Sequence, residues 1–280
     1  MDQDFEQAAK YFELAAAQGH GKSMTNLGVM YREGIYFAKD YDASREWIFK
    51  AVETEEPNAY FNMALLYYFS DLGVEPDAAK AVEWFKKAAD SGNILSHTYL
   101  GMLTHDGIGV VRDYQRAVEY YRFAADLGEP QAQFQLGRMM YDGKGIKKAE
   151  RQGARLITAS AEQGWVEAQF LVGLMCWEGW GRRIDYEEAA RWFEAAAEKG
   201  HRDAQYLLGV SYYEGYGVDE NARKAYKWLS LASYQGHEGA EKIMRRLERV
   251  LPEDYMAEAN EEVEAWMLER AFDPSDFILE

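Results

Sequence analysis

Gly-x-Gly recurs at Gly107/Gly109, Gly143/Gly145, Gly179/Gly181 and Gly215/Gly217, each pair 36 residues after the last, with nothing inserted or lost between them. A fixed period of this length requires an array of supersecondary units, because one such unit is too small to bury its own apolar face. A second series keeps the same interval at Gly19, Gly92, Gly128, Gly164, Gly200 and Gly236, with Glu55 at the one missing position. The step from Glu55 to Gly92 is 37 residues, since the stretch from Ser70 to Val74 carries one extra. The period sets a half repeat at 1–19, repeats at 20–55, 56–92, 93–128, 129–164, 165–200 and 201–236, and a C-terminal cap with an acidic tail at 237–280. Such arrays build surfaces by stacking, and the surfaces usually bind rather than catalyse.

Each repeat reads as two helices. The first carries Leu27-Gly28, Met63-Ala64, Leu100-Gly101, Leu136-Gly137, Val172-Gly173 or Leu208-Gly209, with a small residue (Ser or Ala) five positions before. These spacings put the small residues on one helical stripe. A glycine inside a helix costs about 0.5–1 kcal/mol relative to alanine, so its recurrence implies that a neighbouring helix approaches closely. The second helix is expected to start at Asp4, Asp40, Asp77, Asp113, Asp185 and Asn221, whose side chains accept hydrogen bonds from the free N–H groups of a first turn. Four residues on stands a small residue and three later a bulky one, as in Ala81 and Trp84 or Ala189 and Trp192. The glycines of the second series then close the helix. In the fourth repeat Ala149 replaces the capping Asp and Gly153 lies inside the helix. Together these weaken that helix by roughly 1–2 kcal/mol and mark it as a hinge candidate.

The run Ala204-Gln205-x-x-Leu208-Gly209-x-x-Tyr212-x-x-Gly215-x-Gly217-Val218, followed by Lys224-Ala225-x-x-Trp228, closely resembles the Sel1-like repeat, a relative of the tetratricopeptide repeat. The resemblance covers Asp4 to about Leu268. It implies an all-α fold, a right-handed superhelical solenoid of about six helix-turn-helix repeats, with the first helix of each pair on the concave side. The stretch from Leu251-Pro252-Glu253 resembles the usual C-terminal helical cap, with Met256, Ala259, Val263, Trp266 and Met267 on one face. Two loops depart from the pattern: Gly34-Ile35-Tyr36 lacks the second glycine, and the next reads Ser70-Asp71-Leu72-Gly73.

Lys and Arg number 31 against 48 Asp and Glu, a net charge of −17. That balance argues against nucleic acid or an anionic membrane surface and favours a basic partner. No segment approaches the roughly 20 apolar residues of a membrane-spanning helix, and the N-terminus lacks the basic start and apolar run of a signal peptide. The expectation is a soluble chain, cytoplasmic as it stands and periplasmic or secreted if a leader has been removed. The start at Asp4-Phe5 falls in the middle of a repeat, so either an upstream half repeat or a cleaved leader is expected to precede it.

Chemistry is sparse. Cys176 is the single cysteine, so no intrachain disulfide forms, and its position matches Tyr31, Tyr67 and Tyr212, which reads as packing. His20, His201 and His237 each follow a closing glycine and read as turn residues, while His97 and His105 are separated by about 12 Å of helical rise, too far for one ion. No catalytic residue, metal site or cofactor is assigned. Gly-x-Gly between two helices, without a third glycine or a Lys-Ser/Thr pair, is a turn and not a phosphate loop.

A binding face is the stronger reading. Positions three before and four after the repeat glycine give Phe61, Phe134, Phe170 and Tyr206 together with Tyr68, Tyr141, Trp177 and Tyr213 as residues facing the trough. Arg32 and His105 share the second of these positions. The row Glu33, Asp106, Asp142, Glu178 and Glu214 follows them with carboxylates. Trp180 and Tyr216 occupy the variable loop position, and with Trp177, Arg182, Arg183 and Tyr213 they are expected to cluster as a hot spot on adjacent repeats. The resemblance implies a non-enzymatic scaffold or adaptor that takes a protein or peptide on its concave face. An immunity protein masking a secreted bacterial toxin is the sharper alternative. A hydrolase in the trough is the rival from the enzyme class. Sel1-like proteins with paired cysteines in each repeat are linked to β-lactams, and this chain lacks those cysteines.

Overall fold

The computed structural model describes residues 2–69, 75–180, 183–249 and 251–271. Among these residues fifteen α-helices follow one another with no strand between them. They are α1 (Asp2–Ala16), α2 (Gly21–Glu33), α3 (Tyr41–Val52), α4 (Pro57–Tyr68), α5 (Ala78–Asp90), α6 (Ile94–Asp106), α7 (Tyr114–Asp126) and α8 (Pro130–Asp142), then α9 (Glu150–Glu162), α10 (Val166–Glu178), α11 (Tyr186–Glu198), α12 (Arg202–Glu214), α13 (Ala222–Tyr234), α14 (Glu238–Leu247) and α15 (Glu253–Ala271).

The caps explain where the second helices begin. Asp40, Asp77, Asp113, Asp185 and Asn221 all sit in extended backbone, and each side chain accepts from an N–H of the first turn of α3, α5, α7, α11 or α13. Ala149 makes no such bond at the start of α9. The expected cap at Asp4 is corrected: α1 begins at Asp2 and Asp4 lies within its first turns, since neither Asp2 nor Gln3 breaks the helix.

The first helices pack on the second through their glycines. A Cβ added at Gly28, Gly101, Gly173 or Gly209 would lie 2.8 Å from Ile48, 2.6 Å from Tyr121, 2.5 Å from Phe193 or 2.7 Å from Leu229. Those four partners are 20 residues downstream in every case and are at most 2% exposed. Each of these four glycines is therefore a socket for one large buried side chain, and the loss of helix propensity is offset by apolar burial.

The helices gather into two compact units, one of Met1–Met139 with Gly143–Lys148, the other of Met140–Asp142 with Ala149–Glu280. In the first, Phe61, Phe85, Tyr99, Leu100 and Leu103 belong to one buried cluster, with Phe85 and Tyr99 stacked at 4.9 Å. Cross-repeat struts also occur there. The Glu56 carboxylate caps α4 at Ala59 N and accepts from the Thr25 hydroxyl, and Glu129 does the same for Ala132 N and Thr98. In the second unit the Gln of the Ala-Gln pair ties first helix to preceding second helix: Gln169 donates to Ala161 O and Gln205 to Ala197 O.

The second unit ends on α15. Ala259 and Val263 are buried, Met256, Trp266 and Met267 are half-buried on the same face, and α15 lies against α13. Arg223 pairs with Glu258 at 2.7 Å and also with Glu262, which Lys227 reaches at 2.9 Å. Lys227 and then Arg223, by bonding to its carboxylate, hold Glu262 below the usual carboxylate range. Two of the tail's acidic side chains are thus engaged within the fold.

Candidate interaction face

The position three before the repeat glycine is a packing position. Phe61 is 8% exposed, lies against Phe85 of its own helix pair and meets Tyr99 of the next first helix edge-on at 5.4 Å. Phe134 is 6% exposed under the Arg138 guanidinium. Phe170 and Tyr206 are half-buried, each covered by an imidazole 31 residues on: His201 stacks on Phe170 at 4.2 Å and His237 on Tyr206 at 4.0 Å. Phe61 and Phe134 present little surface to a partner.

Those two histidines are more than turn residues. Each is the N-cap of its helix, and its Nδ1 accepts from Ala204 N at the start of α12 or from Ala240 N at the start of α14, both at 3.2 Å. An Nδ1 that accepts carries no proton of its own. Burial pushes the His201 pKa down, against the opposing pull of Asp203 and Glu167. Sequence reasoning missed this role, although the same register holds the capping residues Glu56, Asn93 and Glu129.

The position four after the glycine stays partly open. Tyr68, Tyr141, Trp177 and Tyr213 are all half-buried. In the first unit Tyr68 leans edge-on against Phe69 at 4.9 Å. In the second, Trp177 meets Tyr186 at 4.9 Å and 72°, and Tyr216 at 5.3 Å and 88°. Tyr186 and Tyr216 lie 5.2 Å apart, and both are exposed, at 37% and 40%. Trp180 is half-buried and lies 6.4 Å from Tyr141. The structure therefore joins Trp177 to Tyr216 and Trp180 to Tyr141. Arg182 lies outside the described residues, and Arg183 is exposed.

Tyr186 was absent from the sequence reading. Its signal is the Asp-Tyr pair that recurs at Asp40-Tyr41, Asp113-Tyr114 and Asp185-Tyr186, which sets a ring at the first residue of the second helix. The loop glycine explains why that ring meets the next repeat: a Cβ at Gly217 would lie 2.0 Å from Tyr186 O, so the loop carrying Tyr216 runs directly over the start of α11.

Other groups offer little chemistry. Cys176 is buried at 0% exposure. Among the described residues, no group of three or more His, Cys, Asp or Glu side chains is placed to hold a metal ion, and no helix is long and apolar enough to cross a membrane.

Comparison with known proteins gives a consistent picture. The Sel1 repeat profile matches residues 1–20, 21–53, 57–93, 94–129, 130–165, 166–201 and 202–237. A Sel1 repeat protein from Oxalobacter formigenes is 32% identical, over 87% of this chain and 70% of that one, with a TM-score of 0.76. The immunity protein PA5088 from Pseudomonas aeruginosa is 18% identical, over 91% of this chain and 82% of that one, at a TM-score of 0.53. Yeast Tom70 is 17% identical over 98% of this chain and 61% of that one, at 0.50. At these lower identities the likeness concerns the fold alone.

Proposed function

Because the chain belongs to the Sel1 repeat family, we propose that it is a non-enzymatic scaffold that holds a protein or an extended peptide against the row of its first helices. The observation that carries this reading is the group Tyr141, Trp177, Trp180, Tyr213 and Tyr216 in the second unit, half-buried or exposed rings at the open position of the first helices and their loops. Rings of this kind, anchored by packing and still reachable, are the usual centres of interfaces. The charge of −17 and the exposed carboxylates of Asp142, Glu178 and Glu214 favour a basic partner.

The test is calorimetry with the partner recovered by affinity capture, comparing Trp180→Ala, Tyr213→Ala and a chain ending at Arg270 with the parent. Truncating a central anchor costs about 2 kcal/mol or more in binding. If both ring variants bind like the parent and only the shortened chain fails, the contact is the acidic tail and the scaffold face is wrong. The immunity reading has a distinct outcome: the captured partner would be a toxin whose activity stops on binding. Its support here is the acidic charge.

A further inference from the structure

The triad Trp177, Tyr186 and Tyr216 has a counterpart 72 residues, two whole repeats, upstream: His105, Tyr114 and Lys144. There His105 lies 5.2 Å from Tyr114, and Lys144 Nζ sits over the Tyr114 ring at 4.4 Å from its centroid. The backbone is built alike in both places, since a Cβ at Gly145 would lie 2.5 Å from Tyr114 O, as one at Gly217 would from Tyr186 O at 2.0 Å. So the same loop, crossing the same helix start, carries a lysine over a tyrosine in the first unit and a second tyrosine beside it in the second.

A ring face attracts a cation through its quadrupole, most strongly within about 6 Å of the centroid. In the first unit the chain supplies that cation itself. In the second, two tyrosines exposed at 37% and 40% back onto a tryptophan, Glu178 follows Trp177, Glu187 follows Tyr186 and Glu214 stands two residues before Tyr216, all exposed carboxylates. Ring faces and negative charge together select a cationic side chain over an apolar one.

We propose that the Trp177–Tyr186–Tyr216 patch is the subsite that receives a lysine or arginine side chain of a basic protein partner, with Tyr216 standing where the first unit has its own cation, Lys144, over Tyr114. This rests on the reading of the first-helix face as the interaction surface and gives that surface its chemistry.

The test exchanges the two patches. The probe is an acetylated and amidated hexapeptide of alternating Gly and Arg, with the same peptide carrying Gln for Arg as control. Binding is followed by the NMR signal of the Trp177 indole N–H. Expected is a saturable shift with the Arg peptide and none with the Gln peptide. Tyr216→Lys places a cation in cis and should weaken the probe about two- to fivefold. Val111→Lys, at a residue 85% exposed in the other unit, adds the same charge and should leave the Trp177 titration unchanged. His105→Trp with Lys144→Tyr should create a second site, seen at the new indole. Lys is already tolerated in this loop at Lys144, and circular dichroism confirms that each variant is folded. Equal weakening by Tyr216→Lys and Val111→Lys would show diffuse attraction to an acidic protein and overturn the proposal, as would a silent Trp177 indole. If ring variants of the face lose the native partner while the probe ignores Tyr216→Lys, the interaction face stands and the cation subsite falls. If the probe behaves as expected and the native partner ignores the ring variants, the reverse holds.

Discussion

Gly217 stands so close to Tyr186 that a Cβ on it would come within 2.0 Å of the Tyr186 carbonyl oxygen, with Glu187 N 2.5 Å away, and its φ is +72°. Gly236 has a similar φ of +81° and nothing within 4 Å of its absent Cβ. The two glycines share a backbone demand and differ only in their surroundings. Gly236→Ala is expected to cost about 1–2 kcal/mol, the left-handed strain alone. Gly217→Ala adds a backbone collision and is expected to cost roughly 2–5 kcal/mol. Urea denaturation of both variants checks the ordering, and equal losses would mean that the loop moves freely off α11.

Glu55 is the one residue of the closing series that is not glycine, and its φ is +58°. It is exposed. Glu55→Gly removes about 1–2 kcal/mol of strain against an extra unfolded-state entropy of about 0.5–1 kcal/mol, so a net gain of about 0.5–1 kcal/mol is expected. Tyr36 has a φ of +65° as well, but its ring meets Phe37 at 5.1 Å, so Tyr36→Gly should gain less. Thermal melts of the two variants side by side separate strain from ring contact.

The helix α9 lacks both a capping side chain and a methyl at Gly153. The equivalent positions Ala81, Ala117, Ala189 and Ala225 are alanines at 0% exposure, so this register accommodates a Cβ. Gly153→Ala is expected to stabilise by about 0.5–1 kcal/mol and Ala149→Asp by about 1 kcal/mol. Hydrogen exchange of α9 amides should slow in both. A loss of stability at Gly153→Ala would show that α9 has to come closer to its neighbour than the other second helices do.

Much of this fold was legible because the period aligns like with like. The Asp and Asn caps followed from residue type, and the socket glycines from the stripe they share with small residues. The site was legible only in part. Counting positions from the repeat glycine puts Phe61 and Phe170 on the same footing as Tyr68 and Trp177, and at seven residues apart the two positions share one helix face, so how much of each ring stays open is set by the side chains that the next repeat lays over it. Tyr99 covers Phe61 and His201 covers Phe170, contacts between residues 38 and 31 apart that no local pattern displays. The histidine caps were missed for a chemical reason. An imidazole caps only through an unprotonated Nδ1, and preference tables dominated by Asp, Asn, Ser and Thr hide it.

That same requirement makes α12 sensitive to pH. His201 is held below its ordinary value of 6.5, first by burial, and its cap bond to Ala204 N exists only in the neutral ring. The unfolded chain therefore binds a proton at higher pH than the folded one. The stability that this residue contributes is complete above about pH 6.5 and is lost progressively as the pH falls through that value toward the depressed folded pKa. Many carboxylates also titrate in an acidic chain, so the readout is a difference. His201→Asn supplies a cap with no proton to take up. Urea midpoints of parent and variant at pH 7.5 and 5.5 should show the parent losing more stability than the variant on acidification. Equal losses would mean that the His201 ring is not held neutral by its place on Phe170 and at the start of α12.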